Sequence, residues 1–144
     1  MLRKIIFLLA CSLFALKVIA APTTLPEFLK SSEELRGKAK IAKDFKGKAA
    51  ELKKLEAQLN EVRAEFKKKK PTGDKVPTAQ HEVTVFYYSL TPLFEIAKKD
   101  QADSKECAQA ERRILSSANQ GKIEGAPHDK DSLEVIAWHK LLCD

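Results

Sequence analysis

Between Ile41 and Phe66, seven apolar residues (Ile41, Phe45, Leu52, Leu55, Leu59, Val62 and Phe66) recur at intervals of 4, 7, 3, 4, 3 and 4. Such spacing returns to one face of an α-helix every two turns. A β-strand, with its period of two, cannot gather these positions on one side. The pattern predicts a long coiled-coil-like helix with an apolar seam. The seam has one vacancy, near Lys48, which Ala49 partly covers. Gly47 leaves the phase intact, so the helix is expected to run through it at a cost of about 1 kcal/mol. Two uses are open to this seam: the protein's own core, or a face that binds a partner.

The rest of the chain reads as helix too, because Ala, Lys, Glu and Leu dominate and glycine and proline are few. Upstream, Phe28 and Leu35 fall one position off the seam, which predicts a kink or short break near Gly37 after a first element beginning at Thr24. Lys67 to Lys70 suit the carbonyl end of the long helix. Residues 71–78 (Pro-Thr-Gly-Asp-Lys-Val-Pro-Thr) form the one obvious loop. Val83, Phe86, Tyr87, Leu90 and Phe94 then recur at helical spacing. Their β-branched and aromatic start would also suit a strand, but no partner strand is visible; Pro92 is expected to kink the helix or restart it. Asp103 with Glu106 and Asp131 with Glu134 are capping pairs that open two more helices, and Gly121 ends the first of them. Their expected inner faces carry Cys107, Ala110, Ile114, Leu115 and Ala118, then Leu133, Ile136, Ala137, Leu141 and Cys143. The predicted fold is an all-α bundle of four to five helices.

The N-terminus has a different character. Arg3 and Lys4 precede an apolar run from Ile5 to Leu16, and Val18-Ile19-Ala20 offers short side chains where a signal peptidase reads. Residues 1–20 are therefore expected to be a cleavable signal peptide, residues 21–144 a single helical domain, and the location periplasmic or secreted. Lys17 ends the run short of the roughly 20 apolar residues that a membrane span needs. Leu8-Leu9-Ala10-Cys11 also resembles a lipoprotein-processing box, which would leave a very short apolar core. Removing the segment takes Arg3, Lys4 and Lys17 with it, so the formal charge falls from +6 to +3. Residues 21–70 hold 14 basic and 8 acidic side chains, so positive charge concentrates in the first half.

Loss of Cys11 leaves Cys107 and Cys143, which in an exported protein predict a disulfide between the last two helices. No G-x-S-x-G, HExxH or phosphate-cradling glycine loop occurs, so no catalytic residue is assigned and no enzyme is expected. His128 with Asp129 and Asp131 forms a short His/Asp run of a kind common in turns, and no metal site is assigned. The lysines of the first half lack interleaved aromatics, which argues against nucleic acid as a partner.

Ala118-Asn119-Gln120-Gly121-Lys122-Ile123, followed by His139 in Ala137-Trp138-His139, resembles the C-terminal part of the periplasmic four-helix b-type cytochromes. That resemblance implies a haem held between helices with His139 as one axial ligand. In that family a methionine near the mature N-terminus supplies the other; here Leu29 falls at that place and the chain beyond residue 20 has no methionine.

The sequence thus predicts an exported, non-enzymatic, partner-binding helical protein: an envelope adaptor, a holdase or a secreted binding protein. It predicts no cofactor and no stable membrane span after processing. The partner is a protein or an anionic envelope component, and the seam Ile41, Phe45, Leu52, Leu55, Leu59, Val62 and Phe66 is the candidate binding face. The alternative is a haem-binding electron carrier.

Overall fold

The computed structural model describes residues 20–69 and 78–144. The predicted signal segment therefore lies outside the described residues up to Ile19, and the predicted 71–78 loop does so up to Pro77. Among the described residues the regular structure is five helices and no strand: α1 (Leu25–Ile41), α2 (Phe45–Lys68), α3 (Thr78–Ala97), α4 (Ser104–Asn119) and α5 (Lys130–Cys143). No helix among them is long and apolar enough to cross a membrane.

Local chemistry sets the boundaries. α1 opens at Thr24, where the Glu27 carboxylate accepts from the backbone N–H groups of Thr23 and Thr24, and Pro26 sits in the first turn. α2 opens at Asp44, whose carboxylate accepts from Gly47 N at 2.8 Å. Asp103 caps α4 through Lys105 N and Glu106 N, and Gly121 beyond its end adopts φ +73°. Pro92 neither breaks nor restarts α3, which runs through it.

Neighbouring helices alternate in direction. Lys46 of α2 pairs with Asp100 just past α3, while Arg63 near the other end of α2 meets Tyr88. Lys99 pairs with Glu106 at the α3–α4 turn, and the Cys107–Cys143 disulfide joins the start of α4 to the end of α5 at a Cα–Cα distance of 5.8 Å. α3 packs against all four other helices, and α5 closes the bundle against α1. One core results, with Phe28, Leu52, Leu55, Leu59, Phe86, Leu90 and Trp138 fully buried.

The seam is part of that core, so it does not form an exposed binding face. Leu52, Leu55, Leu59 and Val62 are buried and Ala49 fills the vacancy, while Phe45 and Phe66 are half-buried against the cluster. Ile41 does not belong to the seam. It is the last residue of α1, 83% exposed, and the chain turns at 42–44 before α2 begins. The long helix therefore starts four residues later than the spacing implied. The one-residue phase change between Phe28–Leu35 and the seam is absorbed by this turn, and Gly37 lies inside an uninterrupted α1.

Gly47 belongs to the turn as well. A Cβ there would lie 2.8 Å from the Ala42 Cβ, so the absent side chain lets α2 start against the end of α1. The inner face of α5 is also rotated from the expectation. Glu134, Val135, Trp138, His139 and Leu142 face inward, while Leu133 is 51% exposed.

Candidate functional site

α1 buries Phe28, Ser32, Leu35 and Ala39 at the 4-3-4 spacing of a core stripe, so one core position is a hydroxyl. α5 places Glu134 and Trp138, one turn apart, against it. Trp138 Nε1–H donates to Ser32 Oγ at 2.8 Å, and Ser32 Oγ–H donates to Glu134 Oε1 at 2.8 Å. Arg36, one turn beyond Ser32, completes the set: Nε donates to Glu134 Oε1 at 2.9 Å and Nη2 to Oε2 at 3.0 Å. Both carboxylate oxygens and the serine are thereby partnered where Ser32 is 0% and Glu134 5% exposed, as a buried charge requires. Donation to the Glu134 carboxylate holds the Arg36 guanidinium above its ordinary pKa.

Arg36 and Glu134 of this network line a groove of about 820 Å³ between α1 and α5, to which Glu82 of α3 also contributes. Leu25 and Leu29 of α1 and Leu133 and Ala137 of α5 are paired at one-turn spacing and give it apolar walls. Lys30 and Lys130 stand at the rim with Glu33, Glu82 and Asp131, so both charge signs are present.

The chemistry open to this site is holding, not attack. Ser32 beside a carboxylate has the outline of a nucleophile and base, but Ser32 is 0% exposed and Arg36 neutralises Glu134. Cys107 and Cys143 are bonded to each other. Among the described residues no three His, Cys, Asp or Glu side chains converge as a metal site.

His139 faces elsewhere. Its Nε2–H donates to the Cys107 carbonyl at 2.9 Å, across the cleft between α4 and α5 that Glu111 and Leu115 also line. Leu29 lies on the other side of α5, in the α1–α5 groove. The two positions that the cytochrome resemblance would place on haem thus do not face each other across a cavity, and Trp138 and Phe28 fill the interior. These residues do not fit a haem.

Sequence reasoning missed Ser32 and Arg36 and took Glu134 for a cap, whereas Asp129 precedes the first turn of α5. The available signal was the stripe Phe28-Ser32-Leu35-Ala39, read as helical only if the serine counts as a core residue. No protein-family model, curated protein or solved structure matches this chain.

Proposed function

We propose that this is an exported, non-enzymatic binding protein that takes an amphipathic helix of a partner protein in the α1–α5 groove. The observation that carries the reading is the wall pattern: two pairs of apolar residues at one-turn spacing, with charges of both signs along the rim. A third helix laid between α1 and α5 would place its apolar stripe on Leu25, Leu29, Leu133 and Ala137. Its flanking charges would meet Lys30 and Lys130 on one hand and Glu33, Glu82 and Asp131 on the other. Under this reading the Ser32–Arg36–Glu134–Trp138 network fixes the separation of the two walls, so the groove is formed before the partner arrives. Export rests on the N-terminal sequence.

Site-specific photo-crosslinking in cells that make the protein tests this. A photoreactive side chain at Leu133 should give a discrete adduct that maps to a helical segment of one partner. The same group at Tyr88, 59% exposed on α3, should not give it, and Leu29→Glu should abolish it. Identical adducts from both positions, or none from Leu133, would contradict the proposal.

A further inference from the structure

The turn between α1 and α2 carries a charge distribution that folding does not call for. Residues 38–48 hold five lysines (Lys38, Lys40, Lys43, Lys46 and Lys48) and one acid, Asp44. Lys38 and Lys40 suit the carbonyl end of α1. Lys43, Lys46 and Lys48 crowd the amino end of α2, where positive charge opposes the helix dipole and the first turn has no acidic residue. Asp44 already accepts from Gly47 N, and Lys46 pairs with Asp100. Among the described residues no carboxylate lies within 4.0 Å of Lys38, Lys40 or Lys43.

Among these charges, at the last residue of α1, stands Ile41, 83% exposed. The turn that presents it is tightly built: Ala42 N–H donates to Ala39 O at 3.2 Å, Lys48 N–H to Asp44 O at 3.2 Å, and Gly47 admits the close approach of Ala42. An apolar side chain on a tight turn, with Lys38, Lys40 and Lys43 close to it in sequence and free of carboxylate partners among the described residues, matches the boundary between phosphate headgroups and acyl chains.

We propose that the α1–α2 tip docks the protein on an anionic phospholipid surface, with Ile41 entering the headgroup boundary and Lys38, Lys40 and Lys43 lying against phosphates. This proposal goes beyond the groove and does not depend on it. The lysines supply attraction that salt screens, and Ile41 supplies insertion that salt does not.

The test uses the chain from Ala21, which contains all five helices and the whole core, with vesicles of phosphatidylglycerol and phosphatidylcholine and with phosphatidylcholine alone. Association is expected with the anionic vesicles only, and it should weaken as salt is raised. Each lysine removed should weaken it about fivefold, so Lys38→Ala/Lys40→Ala/Lys43→Ala should bind on the order of a hundredfold less tightly. Ile41→Trp should add an emission band that shifts to the blue on vesicle addition, read against the wild type, whose Trp138 is buried. The charge-neutral Leu133→Gln should bind the vesicles like the wild type, which separates this surface from the groove.

Failure of the wild type to associate with anionic vesicles would overturn the proposal, as would full affinity in the triple variant. An unmoved Ile41→Trp emission would exclude insertion. Capture by heparin without vesicle binding would assign the tip to an acidic macromolecule instead.

Discussion

Glu134 enters the interior of α5 with a charge that only Arg36 and Ser32 keep compatible with burial. Removing one member of a buried ion pair strands the other, at a cost of about 3 kcal/mol or more, whereas removing both is far less damaging. Arg36→Ala, which strands the buried Glu134 carboxylate, is therefore expected to lower unfolding free energy by about 3 kcal/mol, and Glu134→Ala by less, because the Arg36 it strands still reaches solvent (19% exposed). In a denaturant double-mutant cycle the pair should lose clearly less than the sum of the singles; additive losses would mean that the fork does not couple α1 to α5. Glu27 acts at the surface. The N–H groups of Thr23 and Thr24 that its carboxylate accepts hold its pKa below the ordinary carboxylate value. A carboxyl with a lowered folded pKa stabilises fully above its unfolded pKa, and that contribution is lost as pH falls through the folded value. The stability difference between wild type and Glu27→Gln should thus be constant near neutral pH and vanish in acid. A difference that grows in acid would contradict the cap.

At the scale of the helices, the two glycines of the α1–α2 hairpin should answer alanine with opposite signs. Gly37 lies on the exposed face of α1, and a Cβ added there would meet nothing within 4 Å, so Gly37→Ala should stabilise by about 1 kcal/mol. At Gly47 the new Cβ would stand 2.8 Å from that of Ala42, so Gly47→Ala should destabilise by about 1–3 kcal/mol as an overpacking change. Thermal or denaturant unfolding checks both, and equal signs would refute the hairpin geometry. Helix positions were legible in the sequence wherever a periodic stripe met a capping residue, as at Thr24 and Asp103. The turn at 42–44 was not, because Ile41 and Phe45 are spaced as if on one helix and Asp44 stands among lysines. The groove was illegible for a related reason. Ser32, Arg36 and Glu134 are polar residues used inside, and hydrophobic periodicity treats each as solvent-facing. The α5 face was misjudged because Leu133 and Leu141 outweigh Glu134 and His139 in any reading by hydrophobicity.

For the molecule as a whole, α5 is the helix that most needs tertiary support. Its 14 residues are near the lower limit for a helix in isolation, and it is held by the α1 network, by the Cys107–Cys143 bond and by His139 on the Cys107 carbonyl. The bond closes a sequence separation of 36 residues, worth roughly 4 kcal/mol in the chain-entropy account. Reduction should lower the denaturant midpoint and let Trp138 emission move to the red before helicity is lost. An unchanged midpoint would deny the bond a stabilising role. The same closure holds α5 to α4, whereas the hydrogen bonds of Ser32 and Arg36 with Glu134 and Trp138 hold it to α1.

Amide hydrogen exchange, followed peptide by peptide with and without the partner recovered through Leu133, tests most directly whether binding belongs to the α1–α5 groove while the Phe45–Phe66 seam is core. New protection is predicted in residues 25–37 and 130–138, with the α2 seam slow to exchange in both states. Fast exchange along α2 in the free protein, slowed by the partner while α1 and α5 stay unchanged, would contradict it.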